Sequence, residues 1–327
     1  MELSERGFRG TLSADVGRKG MKILVFIKDV PDVRVPVECN EATGRLRREW
    51  GITILNPSDR TAVEAALKIK ADIESARITL VHLGPPPHST VSGEAAGERF
   101  IREGLALGCD EGLRIWEEGL EGIHTAAKAL IFARVAKILD FDLILTGTRS
   151  QDTGGGQLGA LIASRLQIPC IGSVTELDVR VKERTIVATK RLSQGYREYV
   201  ESPLPLLAAM EALPGTGGYA SLQTLLDATE KAIPCLDLAE MGISGEMVRQ
   251  ADSRLVFGPL RFPKSRLRCI AAPDSSLPAF ERIRSLVAGT IKMRAGKVVR
   301  DEENRVVEAL FQTLLKGGWL SHLRKSG

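Results

Sequence analysis

The sequence predicts an α/β fold: a doubly wound, mostly parallel sheet with an antiparallel β extension and a C-terminal arm. Three observations predict it. Short apolar runs of strand length alternate with segments of helical period up to residue 166. Those runs are nearly unbroken in Val, Ile and Leu, the mark of strands buried on both faces. Past Pro169 the pattern changes to closely spaced β segments joined by short polar turns, which reads as an antiparallel extension.

Residues 22–28, KILVFIK, form the first strand, broken by Asp29-Val30-Pro31-Asp32. A polar stretch follows, with a hairpin turn expected at Ala42-Thr43-Gly44. Asn56-Pro57 starts a helix, with Asn56 as N-cap, Pro57 at the first helical position and Asp59 in the first turn. Ala62, Val63, Ala66 and Leu67 share one face of it. Residues 76–83 form the second strand, closed by Gly84-Pro85-Pro86-Pro87. Residues 92–107 read as helix, 112–116 as the third strand, 125–139 as helix and 141–145 as the fourth strand. Such alternation implies right-handed βαβ crossovers. Segments 173–181, 185–192 and 196–200 are the β extension, and 204–210 is a further apolar strand. Gly215-Thr216-Gly217-Gly218 is a flexible break. Beyond it no regular period is evident until residues 305–315, where Val306, Val307, Leu310, Phe311, Leu314 and Leu315 mark a C-terminal helix. Residues 1–20 lack an apolar signal core, and Met21 looks like a natural start, so they are expected to be a disordered extension or an upstream start.

Composition narrows the function. The chain has 327 residues, with 45 basic against 41 acidic side chains and a net charge of +4, so neither nucleic acid nor an anionic membrane is expected as a partner. No apolar stretch reaches spanning length. The cysteines Cys39, Cys109, Cys170, Cys235 and Cys269 are scattered and odd in number, which argues against a disulfide framework and for a cytoplasmic protein. The histidines are equally dispersed, and no metal site is expected; His82 lies in an apolar run and reads as core or pocket edge.

The candidate site is the turn after the fourth strand: Gly147, Thr148, Arg149, Ser150, Gln151, Asp152, Thr153, Gly154, Gly155 and Gly156, leading into Gln157 and Leu158, where a helix begins that runs to residue 166. Glycines let backbone N–H groups converge on a phosphate, and a helix N-terminus adds partial positive charge. The turn is neither a P-loop nor the six-residue dinucleotide fingerprint. An ordinary βα loop, its glycines serving only the turn, is the other reading. Location favours phosphate, because open α/β sheets place ligands at the carboxyl ends of their strands.

An ordered set of segments carries a resemblance. They are residues 21–28, Asn56-Pro57-Ser58-Asp59, Glu64-Ala65-Ala66-Leu67, Leu83-Gly84-Pro85 and residues 105–110. After these come residues 142–145, Asp152 with Gln157-Leu158-Gly159, and Tyr219-Ala220-Ser221-Leu222. Together they resemble the beta subunit of electron-transfer flavoproteins, over about residues 21–245 and more weakly over 294–320. The resemblance implies a Rossmann-like, adenine-nucleotide alpha-hydrolase-like sheet. It also implies a heterodimer with an alpha subunit carrying redox-active FAD. In this subunit it implies AMP, or a second FAD in electron-bifurcating relatives. Its nucleotide contacts fall on Phe26, Asn56, Leu83 and the turn residues from Gly147 to Leu158 named above. Phe26 and Leu83 end apolar strands and could pack on adenine or belong to the core; Asn56 could read the base or ribose as well as cap its helix. Tyr219, Ser221 and Leu222 fall where the family recognises a dehydrogenase, of acyl-CoA type or a relative, on residues 214–232. The resemblance makes residues 21–213 the nucleotide-binding domain and 233–327 an arm packing on the alpha subunit. No nucleophile, acid or base stands out, so the chain reads as an electron-transfer subunit.

Three departures from the family pattern are visible. The family turn commonly reads Ile-Asp-Gly-Asp-Thr; here it is Gln151-Asp152-Thr153-Gly154-Gly155, lacking the second acid and the hydroxyl. The lysine-rich run after the recognition leucine is replaced by Asp227-Ala228-Thr229-Glu230-Lys231. Residues 255–291 are an insertion carrying Arg261, Lys264, Arg266 and Arg268. Two rival readings differ from the family at identifiable residues. An ATP pyrophosphatase would need a Ser-Gly-Gly loop after the first strand, where Lys28-Asp29-Val30 stands. A non-redox nucleotide module of the universal-stress-protein type explains the turn but not the β extension.

Overall fold

The structure, a computed structural model, describes residues 20–35, 52–84, 96–120, 122–213, 218–253, 273–288 and 303–316. The turn expected at 42–44, the prolines at 85–87, the glycines at 215 and 217, most of the 255–291 insertion, and Trp319 lie outside them. The chain divides into two compact units, Met1–Arg261 and Phe262–Gly327.

In the first unit, β1 (Lys22–Ile27) lies inside a nine-stranded sheet. It pairs in parallel with β4 (Arg77–Leu83) on one side and β6 (Leu143–Gly147) on the other. Beyond β4 lie β5 (Glu111–Ile115) and then β11 (Cys235–Leu236), both parallel. Beyond β6 lie β10 (Leu206–Met210) and β7 (Cys170–Arg180), also parallel. From β7 the sheet turns antiparallel through β8 (Thr185–Arg191) to β9 (Arg197–Pro203). A separate antiparallel pair joins β2 (Asp29–Pro31) to β3 (Thr53–Leu55).

Burial explains the unbroken apolar runs. Along β1, Ile23, Val25 and Ile27 enter one core while Leu24 and Phe26 enter the other. The first core is covered by α1 (Pro57–Asp72) and α2 (Ala96–Leu107). The second is covered by α3 (Thr125–Leu139) and α4 (Leu158–Leu166). Helices on both faces of a mostly parallel sheet make the fold doubly wound, as the sequence predicts. In the β7–β9 extension β8 keeps Ile186, Ala188 and Thr189 buried, while the edge strand β9 is mostly exposed.

The chain after residue 220 departs from expectation. It holds helices where no regular period was evident: α5 (Leu222–Glu230), α6 (Gly245–Asp252) and α7 (Ala279–Ala288), before the expected last helix, α8 (Glu303–Lys316). Each of these three is at most 10 residues long, too short for a period to stand out. Within residues 235–251, β11 extends the main sheet, and Leu236, Leu238, Met241 and Val248 enter the second core. In the second unit, Phe280, Ile283 and Leu286 of α7 and Val307, Leu310 and Phe311 of α8 are exposed.

Candidate functional site

The strand order reverses direction at β1: the chain winds outward through β4 and β5, then returns to β6 on the other side. The crevice at the carboxyl ends of β1 and β6 is the switch point where such sheets place ligands. Lys28 leaves β1 there, and Gly147 ends β6.

Asp59 joins these two ends. Its carboxylate accepts the Lys28 N–H at 2.9 Å through one oxygen and the Gly147 N–H at 2.9 Å through the other. Burial pushes its pKa from 3.8 up to about 7, against hydrogen bonds that favour the charge. Gly147 has no alternative here: a Cβ would collide with Asp59 Oδ1 and Ser58 Oγ.

Asn56 does not cap its helix. No side-chain cap bond forms at α1. Its amide instead holds the turn, donating to Ser58 Oγ at 2.9 Å and Arg149 C=O at 3.1 Å and accepting the Gln151 N–H at 3.0 Å. Ser58 Oγ adds a bond to the Arg149 carbonyl at 2.7 Å. Thr148 fastens the start of the turn to β10, donating its N–H and hydroxyl to Met210 C=O at 2.8 and 2.9 Å. Ser150 and Thr153 link their hydroxyls at 2.8 Å, and the Gly154 N–H closes on Ser150 C=O at 2.9 Å.

Asp152 is gripped from below. Lys28 Nζ reaches its two carboxylate oxygens at 2.7 and 2.6 Å. Burial raises the Asp152 pKa, but the Lys28 bond and charge, the Ser150 hydroxyl and the Thr153 N–H outweigh it and hold the group below the usual carboxylate value.

The glycines form the open rim. Gly154 and Gly156 have φ of 62°, and a Cβ on Gly154 or Gly155 would meet nothing within 4 Å. Gln157 makes no side-chain cap to α4 and no acid stands in that helix's first turn, so its leading N–H groups keep their partial positive charge. Beside the turn lies a cavity of about 410 Å³, lined by Asn56, Ser58, residues 148–151, Gly154, Glu211 and Ala212.

The structure thus gathers Asn56 and residues 147–158 at one place. Phe26 and Leu83 stand apart from the cavity. The Phe26 ring is buried and stacks on Phe132 at 4.5 Å between centroids, and Leu83 is partly buried against the same core. Lys28, Ser58 and Asp59 belong to the site although the sequence did not single out their roles. The signal was present in Asn56-Pro57-Ser58-Asp59, but a helix start explained it equally well.

The expected recognition loop is largely α5. Ser221 caps that helix, its hydroxyl accepting the Thr224 N–H at 3.1 Å. Tyr219 and Leu222 are exposed, Leu222 at 73%. Leu225 and Leu226 are also exposed, and Ala228 is the helix's buried residue. Among the described residues no helix is long and apolar enough to cross a membrane.

Fold and site define a doubly wound α/β protein with a glycine-rich turn at its switch point. Residues 49–212 match the electron transfer flavoprotein domain. The chain is 32% identical over 227 residues to the "Caffeyl-CoA reductase-Etf complex subunit CarD" of Acetobacterium woodii, covering 69% of this chain and 82% of that one. It is 30% identical over 227 residues to the "Electron transfer flavoprotein subunit beta" of Bacillus subtilis, covering 69% and 82%. It is 32% identical over 222 residues to the "Acryloyl-CoA reductase electron transfer subunit gamma" of Anaerotignum propionicum, covering 66% and 78%. The chain belongs to the electron transfer flavoprotein family and is beta-subunit-like.

Proposed function

We propose that the chain is the beta-type subunit of a heterodimeric electron-transfer flavoprotein and binds an adenine nucleotide, AMP or a second FAD, at residues 147–158. The observation that carries this is the open glycine rim at 154–156 over an uncapped helix N-terminus at the switch point. The residues fit such a group. The rim leaves backbone accessible to phosphate, α4 adds positive potential, and the adjoining cavity offers Thr148, Ser150 and Gln151 for a ribose or base. FAD in the complex supplies reversible one- and two-electron redox chemistry. This chain's residues bind and orient: Asp59 and Asn56 hold the turn, and Thr148 ties it to β10.

Electrons then pass between a dehydrogenase or reductase of CoA esters and an acceptor, through FAD carried by an alpha-type partner in the cytoplasm. The names of two relatives support that enzyme class. The test is co-purification with the alpha-type partner, denaturation, and quantification of released AMP and FAD. Nucleotide beyond the alpha partner's FAD is expected from the wild type and absent from Gly155→Val. A Cβ at Gly155 meets nothing in the chain, so that loss would report on ligand approach. A wild-type complex carrying no such nucleotide overturns the reading.

A further inference from the structure

Lys28 is fixed from three directions. Its N–H is held by Asp59 and its C=O accepts the Asn56 N–H at 2.9 Å, so its backbone cannot shift without disturbing β1 and α1 together. From that base its ammonium meets the two Asp152 carboxylate oxygens at 2.7 and 2.6 Å. The pair is largely withdrawn from solvent, with side-chain exposures of 30% for Lys28 and 9% for Asp152. Salt therefore screens it less than an exposed pair. Asp152 is the single acid among residues 147–158, and it also draws the Thr153 N–H to itself at 2.7 Å. An anion approaching Gly154 to Gly156 would meet this carboxylate.

We infer that Lys28 is a positioning residue for the nucleotide turn: it neutralises Asp152 and draws that carboxylate down, so that the rim above it accepts phosphate. This rests on the nucleotide reading above. The alternative roles for Lys28 are a direct phosphate ligand, as a compact ammonium often is, and a purely structural tether. The three make different predictions for a charge-neutralisation series.

The experiment uses the complete heterodimer with the alpha partner's FAD in place and this subunit emptied of nucleotide, with AMP and, separately, FAD as probes in equilibrium dialysis at low and high salt. Lys28→Met leaves Asp152 unpaired and is expected to weaken AMP binding by about tenfold or more, a shift of one decade in Kd. Asp152→Asn leaves the ammonium free and is expected to tighten it several-fold. Lys28→Met combined with Asp152→Asn restores neutrality and is expected to return Kd to near the wild-type value. Because the pair is withdrawn from solvent, these differences should shrink only modestly at high salt. A double variant as weak as Lys28→Met makes Lys28 a direct ligand and overturns the inference, as does a Lys28→Met Kd equal to the wild type. If Lys28→Met does not fold, Asp152→Asn decides alone, because equal or weaker AMP binding overturns the inference. A wild-type complex that binds neither probe overturns the nucleotide reading itself, a result distinct from wild-type binding with the wrong charge order.

Discussion

Asp59 shows how one carboxylate can serve the fold at a cost that depends on pH. Its folded pKa of about 7 lies above its ordinary 3.8. Between those values the unfolded chain has lost the proton and the folded chain keeps it. The contribution is therefore complete below about pH 4 and is lost as pH rises toward 7, at about 1.4 kcal/mol per pH unit inside that window. Denaturant titrations across the window should show this slope in the wild type and lose it in Asp59→Asn. Gly147 makes a second test. Gly147→Ala forces a Cβ against Asp59 and Ser58 and is expected to cost about 1–3 kcal/mol. Gly155→Ala meets nothing and is expected to be near neutral in the same titration.

The helix α5 is the element whose surface is hardest to explain without a partner. It exposes Leu222, Leu225 and Leu226. It is held at its other end by Arg102 of α2, which donates to the Ala228 and Thr229 carbonyls at 2.7 and 2.9 Å. A fixed helix presenting leucines suits an anchor in a partner's pocket, and such anchors are worth on the order of 2 kcal/mol. Leu222→Ala should slow electron transfer to the partner enzyme while leaving flavin content and the melting curve unchanged; transfer at the wild-type rate would refute the docking role. Arg102→Met should leave those C-terminal carbonyls without their donor, and amide exchange over 222–230 should speed up. Asp227 and Glu230 stand where the family pattern has lysines. The partner's docking patch is accordingly expected to be less acidic than that of the usual acyl-CoA dehydrogenase.

Across the molecule, apolar residues of α5, α7 and α8 are exposed together with both tyrosines of the β7–β9 extension, Tyr196 and Tyr199. Surface of that kind marks an interface or an aggregation liability. The subunit expressed alone is expected to aggregate or to be clipped by protease, and to become monodisperse when co-expressed with its alpha-type partner. A stable, protease-resistant monomer would contradict the heterodimer.

The parallel sheet, its helices and the position of the glycine-rich turn were legible in the residue order. Local chemistry writes them directly: double burial demands unbroken Val, Ile and Leu in β1 and β6, and glycine is needed where backbone must lie open. Even the antiparallel extension announced itself through closely spaced β segments joined by short polar turns. The short helices α5 to α7 were not legible, because one or two turns carry too few residues for a period. Nor were the partners of Asn56, Lys28 and Asp59. Asn56-Pro57 reads identically whether its amide caps α1 or grips Arg149 and Gln151, more than ninety residues away. Lys28 and Asp152 lie 124 residues apart and meet because β1 and β6 are neighbours in the sheet. A hydrogen bond forms between atoms that folding brings within reach, and strand order, which no local pattern encodes, sets that reach.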